Sequence, residues 1–220
     1  MTEYTTESKF ILKNAHLSIL AIVVLHAFAL GGILSPWSDK FVLLTPFHLC
    51  ISMLLVLKKD EEGGNTILSA LINIAFVSFL IEIIGTNTNW IFGKYAFGKA
   101  FGPKIAGTPP LIGLVWGLFT FTAVQTSELV IKNKWIGATV AALLITGLNW
   151  MMEPLAPKLN FWFWDEGGSG AGWHDYIGSF IQGWIFSFYL YSKIKDVGNI
   201  VGLVFLVSQT IFFLLLRNLL

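Results

Sequence analysis

Residues 66–98 read Thr66-Ile-Leu-Ser-Ala-Leu-Ile-Asn-Ile-Ala-Phe-Val-Ser-Phe-Leu-Ile-Glu82-Ile-Ile-Gly85-Thr86-Asn87-Thr88-Asn89-Trp90-Ile-Phe92-Gly93-Lys94-Tyr95-Ala-Phe-Gly98. The part at 66–84 is apolar on every side of a helix apart from a few small polar residues and Glu82, and a spanning helix needs about 20 mostly apolar residues. A Thr/Asn cluster, repeated glycines and aromatic rings come next. Apolar helices do not need that composition to pack, so the acid and the segment after it read as a place that binds or transforms something.

Six further segments have the same apolar character, at about 13–34, 41–57, 110–131, 135–154, 175–192 and 198–217. The chain has 220 residues, 55% of them hydrophobic, and 12% charged against about 25% in soluble domains. Its mean hydropathy is +0.71. The expectation is an all-α, polytopic membrane bundle of about seven transmembrane helices, forming one domain over residues 1–220. A net charge of +1 gives no reason to expect a nucleic-acid partner. The single cysteine, Cys50, has no disulfide partner in the chain. Ala27-Phe28-Ala29 has the form of a signal-peptidase site, but the apolar run continues to Leu34, so the segment reads as a retained first helix.

Two connections are long, 85–109 and 155–174, and rich in Gly, Trp, Phe and Pro. They read as ordered loops packed on or into the bundle. With seven crossings, both lie on the face opposite the N-terminus. The N-terminal side then carries Lys9, Lys13, Lys58, Lys59, Lys132, Lys134, Lys193 and Lys195. The other carries Lys40, Lys94, Lys99, Lys104, Lys158 and Arg217. That excess leans toward a cytoplasmic N-terminus.

The same parity brings Glu82, Asn149, Glu153, Asp175, His26 and His48 into one half of the bundle, beside the two loops. An ionised carboxylate within a bilayer costs about 2.5–3.5 kcal/mol on insertion scales, so it faces the bundle interior or a wet cavity. Acids kept protonated by such surroundings can protonate an unactivated alkene, and aromatic faces can stabilise the cation formed. Each group also has a plainer reading. Glu82 could be a hydrogen-bonded interhelical residue, Glu153 an interfacial acid before Pro154, and Asp175 the N-cap of a helix. Asp165 and Glu166 read as solvated loop charges, His26 and His48 as core histidines, and the tryptophans as a membrane-interface belt. No metal-ligand spacing, phosphate loop, Gly-x-Ser-x-Gly or dinucleotide fingerprint is present, so neither metal nor cofactor is expected.

Two blocks carry a family resemblance. The first is Glu82-x-x-Gly85-Thr86-Asn87-Thr88, Phe92-Gly93-x-Tyr95, Gly102-Pro103-Lys104 and Thr108-Pro109-x-Leu111-Ile112-Gly113-x-x-Trp116. The second is Met152-Glu153-Pro154-x-Ala156-x-Lys158-Leu159-x-Phe161-Trp162-x-Trp164. Together they resemble the membrane carotenoid-biosynthesis hydratases, the γ-carotene 1′-hydroxylase and bisanhydrobacterioruberin hydratase group. The resemblance implies addition of water across the terminal carbon–carbon double bond of an acyclic carotenoid end group of the lycopene or γ-carotene type. It places Glu82, Asn87, Tyr95 and Glu153 on signature positions. The partners implied are a lipophilic carotenoid, water, membrane lipid and other enzymes of the pathway, and the location a bacterial inner membrane. The chain departs from the group at Trp173-His174-Asp175-Tyr176, which lacks an expected proline and has Asp175 in place of asparagine.

The chemistry then assigns expected roles. Glu82 or Glu153 protonates the alkene, and Glu153 or Asp175 takes a proton from the attacking water. Trp116, Tyr95 or Trp164 stabilises the cation, and Asn87 and Asn89 hold the water. Thr86, Phe92 and Trp162 complete the substrate-binding set. Other classes remain open: a cofactor-free carotenoid or isoprenoid cyclase or isomerase, or a carotenoid-binding membrane protein that is not an enzyme.

Overall fold

In a computed structural model, the described residues are 2–57, 64–164, 172–194 and 197–220. The expected loop charges Asp165 and Glu166, and the lysines at 58, 59 and 195, lie outside them. The architecture is all-α: α1 (Thr2–Ile33), α2 (Ser38–Val42), α3 (Thr45–Leu57), α4 (Gly64–Thr88), α5 (Leu111–Glu128), α6 (Lys134–Met152), α7 (Trp173–Lys193) and α8 (Ile200–Leu219). Two three-residue strands, β1 (Tyr95–Phe97) and β2 (Trp162–Trp164), join them among the described residues.

α5 is the axis of the bundle. It packs against α3, α4, α6, α7 and α8, and every residue from Gly117 to Gln125 is buried. The outward faces of the surrounding helices are apolar, as Leu20, Val24 and Phe28 on α1, Leu68, Ile72 and Phe76 on α4, and Ile211 and Leu214 on α8 show. An apolar girdle of this extent has no place in water and marks a surface for lipid. Four described stretches, Ala15–Ile33, Asn65–Thr88, Lys134–Met152 and Ile200–Leu219, are both long and apolar enough to cross a membrane.

α5 and α7 have 18 and 21 residues but carry more polar side chains. In α7 the polarity is turned inward. Asp175, Ser179, Gln182 and Ser187 are buried, while Ile177, Ile181 and Ile185 are about half exposed. This inside-out amphipathicity follows from a solvent as apolar as leucine, which offers polar groups nothing to bond; Asp175 and Ser179 bond to Asn149, whereas Gln182 and Ser187 have no hydrogen-bond partner among the described residues.

The segment expected as a helix over 41–57 is instead broken. α2 ends at Val42, and α3 has 13 residues, a length of about 20 Å at 1.5 Å per residue, against a hydrocarbon thickness of about 30 Å. Pro46, which has no N–H to donate, lies in the first turn of α3, where such a donor has no partner in any case.

Close helix approach depends on particular glycines. A Cβ at Gly113 would lie 2.3 Å from the Ala75 carbonyl oxygen, so α4 and α5 meet backbone to backbone there. Gly113→Val should therefore destabilise the bundle by about 1–3 kcal/mol. Gly147, with nothing within 4 Å of its Cβ position, should accept alanine without loss. Thermal unfolding of the detergent-solubilised proteins distinguishes the two sites.

Candidate functional site

The two long loops are zipped together. β1 pairs antiparallel with β2 in the register Tyr95↔Trp164, Ala96↔Phe163 and Phe97↔Trp162. The pairing continues as Gly98 N–H donates to the Phe161 carbonyl at 2.8 Å and Ala100 N–H to that of Asn160 at 3.1 Å. Gly98 is needed because a Cβ there would lie 2.0 Å from the Asn160 carbonyl oxygen. Alternating aromatic residues on two short strands bring rings together: Tyr95 is 5.5 Å from Trp164 and 5.4 Å from Phe97, centroid to centroid. Phe101 stacks on Phe161 at 5.0 Å.

Beneath this ribbon lies a cavity of about 80 Å³, enough to admit water or a small group. Of the residues expected from sequence, Glu82, Asp175, Phe92, Tyr95, Trp116, Trp162 and Trp164 line it. Asn149, Ser179, Phe97 and Met152 line it as well. Asn149 was visible in the sequence as a polar residue on an apolar helix. Ser179 lies one turn beyond Asp175 on the buried stripe of α7, a periodicity from which it was predictable.

Glu82 is buried near the C-terminal end of α4. It accepts hydrogen bonds from two other elements, from the Trp116 indole N–H on α5 at 2.8 Å and from the Tyr95 hydroxyl on β1. Burial and the adjoining Glu82 carboxyl push the Tyr95 phenol well above its ordinary value, so it stays protonated and able to donate. Asp175 is not the helix cap that its position near the start of α7 suggested. Gly172 is the N-cap, and the buried Asp175 carboxyl accepts from Asn149 Nδ2 at 2.7 Å, with the same amide donating to Ser179 Oγ at 3.1 Å. Electrostatic interactions link Asp175 to Glu153 and Glu82.

Glu153 does not line the cavity. Its two carboxylate oxygens accept from the indole N–H groups of Trp162 at 3.2 Å and Trp164 at 2.8 Å, tying the end of α6 to β2. The Thr/Asn cluster also stands apart from the cavity lining. Thr86 Oγ1 shares a 2.9 Å hydrogen bond with the buried Thr108 hydroxyl. Asn87 Nδ2 donates to the carbonyls of Ile83 and Ala106 at 2.8 and 3.0 Å, so these two residues clasp α4 to the turn before α5. Asn89 is exposed with φ of 57°, and its N–H bonds the Gly85 carbonyl at 2.9 Å. It ends α4 in the left-handed conformation that asparagine tolerates.

His26 and His48 meet edge to face at 4.7 Å. His26 donates from Nδ1 to the Ile22 carbonyl at 2.8 Å, and its Nε2 is 3.2 Å from the Gln209 amide.

The architecture is that of a helical membrane protein with an acidic, aromatic-walled cavity at one end of its bundle. A family model described as carotenoid biosynthesis protein matches residues 40–218, and the chain belongs to that family. It is also 25% identical over 193 residues, 82% of its length, to a protein of Haloarcula japonica named bisanhydrobacterioruberin hydratase. The chain spans 63% of that relative's length. No solved structure matches.

Because Glu153 holds two indole donors, replacing it with leucine leaves both without an acceptor. The expected cost is about 1–3 kcal/mol for each buried donor, or roughly 2–4 °C of unfolding midpoint per kcal/mol in a chain of this size. Trp90→Phe, at an exposed position, should leave the midpoint unchanged. Thermal unfolding followed by tryptophan fluorescence measures both.

Proposed function

We propose that this chain adds water across the terminal carbon–carbon double bond of an acyclic carotenoid end group. The observation that carries the reading is the meeting of two buried carboxyl groups, Glu82 and Asp175, in one aromatic-walled cavity. Membership of a carotenoid biosynthesis family and likeness to a protein named a hydratase support the substrate class and the reaction.

In the proposed mechanism, the Asp175 carboxylic acid transfers its proton to the terminal alkene carbon that yields the tertiary cation. The π electron pair forms the new C–H bond. Water attacks the cation, forming the C–O bond, and the carboxylate of Glu82 takes the proton that water releases. Transfer of that proton back to Asp175 restores the starting state, so the net change is one water added. The hydrogen bonding supports this division. Glu82 already accepts two bonds, which favour its ionised form and so its starting as the base, whereas Asp175 accepts one from Asn149. The faces of Tyr95, Trp116 and Trp164 are suited to stabilise the cation. Asn149 and Ser179, both on the cavity wall, are the proposed water-holding groups. Glu153 acts in this reading as a positioning residue through Trp162 and Trp164, and Asn87 and Asn89 through the loop that carries Tyr95.

Expression in a host that accumulates lycopene tests the proposal. Wild type should yield a more polar pigment heavier by one water. Glu82→Gln and Asp175→Asn should each lower product by about 10²-fold or more, the order of a general acid–base contribution, with membrane abundance unchanged. A product of unchanged mass would indicate cyclisation or isomerisation and overturn hydration. Wild-type product from either variant would remove that carboxyl from the mechanism.

A further inference from the structure

A second cavity, of about 180 Å³, opens beside the first. Four residues, Phe101, Val115, Phe119 and Met152, line both. The two spaces are thus separated by a single layer of side chains, one of them a flexible methionine. From that neck the second cavity runs between α1, α3 and α8. At its outer wall, Phe28, Phe47 and Ile51 are exposed by 62%, 66% and 44% on the face turned to lipid. The shortness of α3 and its break from α2 leave helix missing on this side of the bundle. The wall is almost wholly apolar, with Thr45, His48 and Gln209 its polar side chains.

We infer that this second cavity is a binding channel for the long hydrocarbon chain of the substrate, joining the acidic cavity to the lipid through the α1–α3 face. The inference rests on the carotenoid reading. An end group held between Glu82 and Asp175 is attached to a rigid polyene far longer than the first cavity, and that chain must leave in some direction. The ribbon of β1 and β2 and the polar groups Asn149, Asp175 and Ser179 line other parts of the first cavity. The shared neck leads instead into a space that is larger, apolar and open to the membrane. The same route would let substrate enter from the bilayer without crossing water. A lining of this kind favours extended hydrocarbon through dispersion and removal of apolar surface from water.

The test measures pigment retained by the full-length protein purified in detergent from lycopene-accumulating cells, as carotenoid absorbance per protein. Four forms are compared: wild type, Glu82→Gln, Ala29→Trp and Ile51→Trp. Ala29 and Ile51 line the second cavity and not the first. Wild type and Glu82→Gln should retain pigment. The two tryptophan variants, whose indoles would fill the space the chain occupies, should lose it by about tenfold or more, equivalent to about 1.4 kcal/mol of binding. Ile51 is partly exposed, so Ile51→Trp decides the matter should Ala29→Trp fail to fold. Equal retention by a folded tryptophan variant, or none by wild type, overturns the channel. Product formed in the same cells reports hydration separately: wild type that retains pigment but forms no product would sink the hydration reading and leave the channel standing.

Discussion

A carboxyl group inside a bundle surrounded by lipid has to be held by donors that the protein itself supplies, because the surroundings offer none. Glu82 meets this condition by accepting from α5 and from β1 at once. Glu153 draws on two tryptophans of β2, and Asp175 on an asparagine of α6. Each acid therefore joins separate elements of the fold, and the β1–β2 pairing links the first two of these junctions. Removal of any one acid leaves buried donors without acceptors. The groups that give the cavity its chemistry are thus also the ones that hold its walls together.

Much of the fold was legible as runs of apolar residues, since lipid-facing helices such as α1, α4 and α8 announce themselves by composition. α5 and α7 were legible for the same reason but are less apolar than their neighbours. Hydropathy reports exposure to lipid, and these two helices place polar residues such as Gln125 and Gln182 inside. The break between α2 and α3 was hidden because a helix ending between apolar residues leaves the apolar run intact. The β1–β2 ribbon was hidden too, for three-residue strands are specified by contact with one another and leave no periodicity of their own.

The site was legible to the degree that a residue had no other reason to be present. Glu82, an acid in an otherwise apolar helix, and Asp175, near the start of α7, stood out and are lining residues. Tyr95, Trp116 and Trp164 stood out as aromatics near them. The Thr/Asn cluster was equally conspicuous, yet its hydrogen bonds go to the backbone of α4 and the 105–108 turn. Composition records that Thr86, Asn87 and Asn89 are special but not whether they face a ligand or terminate a helix. Ser179 and Phe97 are ordinary residues made significant by position alone.

In the proposed reaction water is the co-substrate, and the carboxyl pair is the means of adding it. The decisive experiment supplies heavy-oxygen water to membranes containing this chain and lycopene, then weighs the new pigment. Hydration predicts a tertiary alcohol carrying one heavy oxygen atom. A new pigment without the label, or one isomeric with its substrate, would contradict it.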